Sequence, residues 1–245
     1  VEIALFLFFV YKDIEPLRAN IRELTNWPDG FVKRYFKTAS PVIINETLWS
    51  LGQVMYSAAY ARIGKEATAA VQVATTIQNV FFVLVRGLAN ACTVMVGNKI
   101  GEGNEGESYE YAVQFLVLST FIGFTLGTIL FLTPDFTLKF FRNLEADVYH
   151  LSRNLLMIMG LFYFIRTFNS TLIVGVLRGG GDTAFSMFLE IGTVWLVGVP
   201  LAFLGALLFK LPVYFVFALV SLEEVVKALI GLPRVKSKRW IRNVT

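Results

Sequence analysis

The chain has 245 residues, of which 56% are apolar and 15% aromatic against only 16% charged, and its net charge is +4. With a mean hydropathy of +0.62, this excludes a disordered chain, a basic nucleic-acid-binding domain and a water-soluble globule, in which about a quarter of residues are charged. A bilayer span takes about 20 mostly apolar residues, so the length accommodates about six, and the fold class expected is an all-α polytopic membrane protein.

Val1 to Tyr11 is apolar but too short to span, and it lacks the basic region and the small-residue cleavage site of a signal peptide. It is expected to be the end of a preceding transmembrane helix (residues 1–11) in a chain cut from something longer. Residues 12–38 mix charges with Pro16, Pro28 and Asn26-Trp27, which suits a cytoplasmic connection along the membrane surface. Six long apolar segments follow: Ala39 to Ala61, Ala67 to Val96, Tyr111 to Thr133, Val148 to Leu177, Ala184 to Phe209 and Pro212 to Leu232. They form a six-helix lobe over residues 39–233, ahead of a basic tail at 234–245. Helices are expected because lipid leaves no backbone group unsatisfied, and a barrel would show ten-residue alternating strands.

The loops differ in charge. One side holds Lys12, Arg18, Arg22, Lys33, Arg34, Lys37, Lys99, Arg178, Arg234, Lys236, Lys238, Arg239 and Arg242, and the other holds only Arg62, Lys65, Lys139, Arg142 and Lys210. Excess Lys and Arg marks the cytoplasmic side, so both ends of the block are expected there, in a multi-pass protein of the cell membrane. Juxtamembrane charge beside an interfacial Trp accounts for the basic tail, and no nucleic acid partner is expected.

Ionisable groups at membrane depth are costly and therefore informative. Glu46 lies about 10 Å into the first span, beside Asn45 and Thr47 and after Pro41, which is expected to open the helix. A buried carboxylate there suits cation or proton coupling. Gln53 is seven residues on and shares its face. Gln72, Asn79 and Arg86 recur every seventh residue along the second span, a polar stripe suited to a cavity wall. Arg166 and Asn169 in the fourth span and Glu190 in the fifth complete the candidate substrate cavity. Glu223 and Lys227 are four apart and are expected to form an intrahelical ion pair near the interface, with function secondary.

Gly97 and Gly101, Gly123 and Gly127, and Gly175 and Gly179 have the GxxxG spacing of close helix packing. Arg178, Gly179, Gly180 and Gly181 are expected to form a tight turn, with Asp182 or Thr183 capping the next helix. The glycine run lacks the Gly-Lys-Ser/Thr of a phosphate loop. Cys92 is the single cysteine and His150 the single histidine, all five Asp lie in loops or at helix ends, and no His-Glu-x-x-His is present. No cofactor, metal site or enzyme activity is therefore expected.

These residues form a pattern. Ala69-Ala70-Val71 through Gly87 and Ala91 to Val96-Gly97-Asn98-Lys99-Ile100-Gly101-Glu102-Gly103 resembles the eighth helix of multidrug and toxic compound extrusion (MATE) transporters. Gly175-Val176-Leu177-Arg178-Gly179-Gly180-Gly181-Asp182-Thr183 resembles the motif at the end of their helix ten. Trp195, Gly198-Val199-Pro200, Glu223-Glu224, Lys227 and Lys238-Arg239-Trp240-Ile241-Arg242-Asn243 are similar to helices eleven and twelve and the tail. The resemblance implies the second of two six-helix lobes, helices seven to twelve, with the N-terminal lobe as its missing partner. It implies export of organic cations or other amphipathic small molecules in exchange for sodium ions (Na+) or protons (H+), through alternating access of the lobes across the lipid bilayer. Some members pair a carboxylate on helix seven with an Asp on helix ten as a cation site; Glu46 lies in the first of these helices, whereas the comparable place near Thr167 holds no Asp. A lipid-linked precursor flippase of the same superfamily, which would show a more basic central cavity, and a non-transporting membrane scaffold are the alternatives.

Overall fold

A computed structural model describes Phe8, Val10, Tyr11, residues 30–141 and residues 144–242. Most of the expected connection, Lys12 to Asp29, lies outside these residues, as do Arg142 and Asn143. Contacts divide the chain into two compact units, Val1–Pro41 and Val42–Thr245. In the first, Gly30 turns the chain with a φ of +80°, and Phe31 and Tyr35 stack one helical turn apart, 6.3 Å between ring centres.

The described residues hold helices and no strand. They are α1 (Phe31–Ala61), α2 (Lys65–Gly101), α3 (Glu105–Leu132), the short α4 (Pro134–Leu138), α5 (Ala146–Arg178), α6 (Thr183–Leu208) and α7 (Val213–Lys236). All six expected long segments are helical. Helix α1 begins at Phe31 and passes through Pro41, so Pro41 does not open it. A proline inside a helix removes one backbone donor, and membrane proteins tolerate this where neighbouring groups re-satisfy the backbone.

Among the described residues, four helices are long and apolar enough to cross a membrane by length and composition: α2, α3, α5 and α6. Of the remaining long helices, α1 carries Asn45, Glu46 and Gln53, and α7 carries Glu223, Glu224 and Lys227. The outer surface is what lipid requires, with Val83, Phe121 and Leu196 each at least 65% exposed.

Helix α5 is the centre of the bundle and packs against α2, α3 and α7. Its closest approach is to α3, where a Cβ added to Gly127 would stand 2.5 Å from the carbonyl oxygen of Gly160. Small residues let backbones meet this way, and the contact supplies the van der Waals attraction that drives helix association in lipid. The Gly175 and Gly179 pair similarly admits Cys92 and Thr93 of α2, while Gly101 faces open space and takes no part in packing.

The last eight residues of α5, Thr171–Arg178, wind in wide π turns. There Thr93 of α2 donates its hydroxyl to the Val174 carbonyl at 2.9 Å, a side-chain insertion of the kind that locally reshapes a helix. Helix α6 widens twice, at Val194–Gly198 and Leu204–Leu208. Gly103 (φ +76°) turns the chain between α2 and α3, and Asn104 caps α3 by accepting from the Glu107 amide at 3.2 Å.

One end of the bundle gathers the turn before α3, the turn before α6 and the tail, since Lys238 lies 4.7 Å from the Tyr109 ring and the Arg242 amide donates to the Gly180 carbonyl at 2.9 Å. Asp182 or Thr183 was expected to cap α6, and Asp182 takes the cap position. It makes no cap bond, and instead its buried carboxylate binds Arg234 at 2.7 Å and Arg242 at 3.1 Å. Two guanidinium groups outcompete the weaker backbone donors. Trp240 is fully buried beside this pair and donates to the Val235 carbonyl.

Candidate functional site

Helices α1, α2, α5 and α7 enclose a cavity of about 210 Å³. Its rim is polar and exposed, with Gln53 and Ser57 on α1 and Gln72 on α2. Its walls are Trp49, Tyr56, Tyr60, Phe162 and Phe217, and its floor is ionic.

The floor is built by α7. The Glu223 and Lys227 side chains are one turn apart and only 8% and 5% exposed, with 3.0 Å between Oε1 and Nζ. Lys227 also reaches Glu224 at 3.4 Å. Two charges removed from water are tolerable only when their remaining positions are also bonded, and here they are. The phenol of Tyr56 donates to Glu223, and the Asn169 amide donates at 2.7 Å to both the Glu224 carboxylate and its carbonyl. The ion pair expected near the interface is thus buried and joined to three further residues on three helices.

Gly198, in the first wide turn of α6, makes room for this arrangement. A Cβ there would overlap both the Tyr56 hydroxyl and the Glu223 carboxylate. Arg166 enters from α5, donates to Gln78 at 3.0 Å and lies over the Phe82 ring at 5.3 Å.

A second cluster lies beside the cavity. Arg178, at the end of α5, holds Glu46 of α1 at 3.2 Å and Glu190 of α6 at 2.8 Å. Asn45 donates to the same Glu190 oxygen at 2.8 Å, and Trp195 donates to the Leu48 carbonyl at 3.1 Å. Side chains therefore join α1 to α6.

Of the residues expected at the substrate cavity, Gln53, Gln72 and Arg166 line it. Asn169 sits behind Glu224, Glu190 belongs to the Arg178 cluster, and Asn79 and Arg86 are exposed on α2 outside the lining, the latter 5.6 Å from the Phe82 ring centre. Glu46, expected at depth, has a side chain 55% exposed. The cavity residues missed were Tyr56, Tyr60, Gln78, Glu223, Glu224 and Lys227. For the last three the signal was the double acid followed by Lys227, which intrahelical pairing alone had explained; for the tyrosines there was none, because a phenol at helical spacing looks like any core aromatic.

The profile of the MatE family matches residues 41–204. A probable multidrug resistance protein NorM from Thermotoga maritima is 28% identical over 179 residues, covering 73% of this chain and 38% of its own length. Protein DETOXIFICATION 7 of Arabidopsis thaliana is 23% identical over 209 residues, covering 84% of this chain and 41% of its own. The chain therefore spans about two fifths of the length of these curated relatives. In fold it is similar to a crystal structure of MATE in complex with MaL6, with a TM-score of 0.82 at 16% identity over 97% of this chain and 55% of that one. It is also similar to a MOP superfamily transporter from Pyrococcus furiosus, with a TM-score of 0.77 at 19% identity over 85% of this chain and 46% of that one.

Proposed function

The chain belongs to the MatE family, and from that premise we propose that it forms the second six-helix lobe of an antiporter that exports organic cations and other amphipathic compounds in exchange for sodium ions or protons. It is a multi-pass membrane protein. The observation that carries the reading is the cavity: an exposed amide rim over a buried ionic floor, with aromatic walls between. Ring faces attract organic cations, the amides of Gln53 and Gln72 hydrogen-bond polar substituents, and Glu223 and Glu224 offer charge. The ionisable lining balances, Arg166 and Lys227 against two carboxylates, which favours drugs over the anionic headgroup of a lipid-linked precursor.

Coupling is assigned to Glu46. One guanidinium, Arg178, stands between two carboxylates, Glu46 and Glu190, so the cluster carries an excess negative charge. A proton or sodium ion at Glu46 competes with Arg178 and loosens α1 from the end of α5. The first lobe supplies the second rigid body that alternating access requires, residues 12–38 connect the two, and the basic tail lies in the cytoplasm.

The test uses the full-length transporter in liposomes with ethidium as substrate. Ion-gradient-driven ethidium flux is expected in the wild type, and Glu46→Gln should remove the ion dependence while ethidium binding persists. Unchanged ion-driven flux in that variant would overturn the coupling role, and no flux under either a sodium or a proton gradient would overturn antiport itself. Cysteines at Asn104 and Ser237, on a Cys92→Ala background, should resist an impermeant thiol reagent in intact cells; labelling of both would reverse the orientation.

A further inference from the structure

A second concavity, of about 610 Å³, lies between α3, α5 and α7. Its lining is apolar along almost its whole length, with Tyr109, Val117 and Phe124 on α3, Phe168 on α5 and Leu232 on α7, and it ends at Lys236. From Tyr109 to Phe124 is about 22 Å of helix rise. Half of a bilayer of about 40–45 Å, headgroups included, has the same depth, so the trough runs the depth of one leaflet. Val117 and Phe124 are each 65% exposed on its surface.

The polar end carries unanswered positive charge. Lys236, Lys238 and Arg239 have no carboxylate partner among the described residues; of the acids at this end, Glu102 and Glu107 are both held by Lys99 at 2.9 Å, and Glu105 and Glu110 are exposed and make no ion pair with these cations. Lys238 rests over the Tyr109 ring at the mouth of the trough. An apolar channel one leaflet long, closed at its headgroup end by unpaired lysines, has the charge and shape complement of a single lipid molecule.

We propose that this groove is a binding site for one anionic glycerophospholipid, its acyl chains along α3 and its phosphate between Lys236 and Lys238. The groove shares no lining residue with the cavity enclosed by α1, α2, α5 and α7.

The full-length transporter, purified in mild detergent, is titrated with palmitoyl-oleoyl phosphatidylglycerol or the corresponding phosphatidylcholine and bound lipid is counted by native mass spectrometry. One phosphatidylglycerol should be retained, with a preference over phosphatidylcholine of about fivefold for each lysine. Lys236→Ala with Lys238→Ala should bring the two lipids to parity, and Lys236→Arg should keep the preference. Val117→Trp, which fills the trough, should remove both lipids. The lysine changes are at the surface and carry the test if the tryptophan variant does not fold. Equal retention of the two lipids by the wild type, no retained phospholipid because another part of the protein fills the groove, or retention unaffected by the lysine pair would each overturn the assignment.

Discussion

Tyr56 on α1 donates its phenol to Glu223 on α7, 167 residues away, and so fixes a wall of the cavity to its floor. Tyr56→Phe keeps the ring and removes the donor, leaving a buried carboxylate short of a partner. A loss of about 1–3 kcal/mol is expected, read as a lower melting temperature of the full-length transporter in detergent. An unchanged melting temperature would show that water replaces the phenol.

Gly198→Ala tests the same site from α6. The added methyl overlaps both the phenol and the carboxylate, and overpacking of this kind costs about 1–3 kcal/mol. Adding Tyr56→Phe removes the nearest colliding atom and leaves the ring carbon at 2.9 Å, so the double variant should lose less than the sum of the single changes. Simple additivity in melting would place the strain elsewhere.

Asp182→Ala is expected to cost on the order of 3 kcal/mol, because it strands the mostly buried Arg234. A helix cap, the role the sequence suggested, would cost only about 1 kcal/mol. Expression and melting temperature in a series of Asp182→Ala, Arg234→Ala and the double variant separate the two. If Asp182→Ala alone melts within a degree or two of wild type, the ion pairs contribute little.

Asp135 in α4 accepts from Tyr149 at 2.8 Å and from Arg153 at 2.9 Å, and these partners hold its carboxyl below the usual carboxylate range. A depressed pKa contributes stability that is present above the unfolded value near about 4 and is lost as pH falls through the folded value. The melting temperature should therefore keep this contribution from neutral pH down to about 4 and lose it below. Asp135→Asn should flatten that part of the acid profile, and an identical profile in the variant would count against the linkage.

The helices were legible because lipid imposes one rule on the whole chain: apolar length punctuated by Gly, Pro and charge. Glycine contacts were partly legible. Gly127 and Gly179 mark close approaches as their spacing suggested, but Gly101 has the same spacing and touches nothing, since spacing identifies a face and not whether a neighbour lies there. The ionic floor was misplaced for a related reason. Glu223 and Lys227 are neighbours on one helix whether that face meets water or protein, and only the approach of Tyr56 and Asn169 from distant segments decides which. Asp182 shows the converse: local sequence offered a cap, and residues 52 and 60 positions later offered stronger partners.

The clamp on Asp182 also has a mechanical meaning. Arg234 lies in the last turn of α7 and Arg242 follows in the tail, so one carboxylate ties the end of the last helix and the tail beyond it to a single point at the start of α6. A pull on the tail is therefore delivered to the turn before α6 and to the end of α7 together, so these three segments move as one piece.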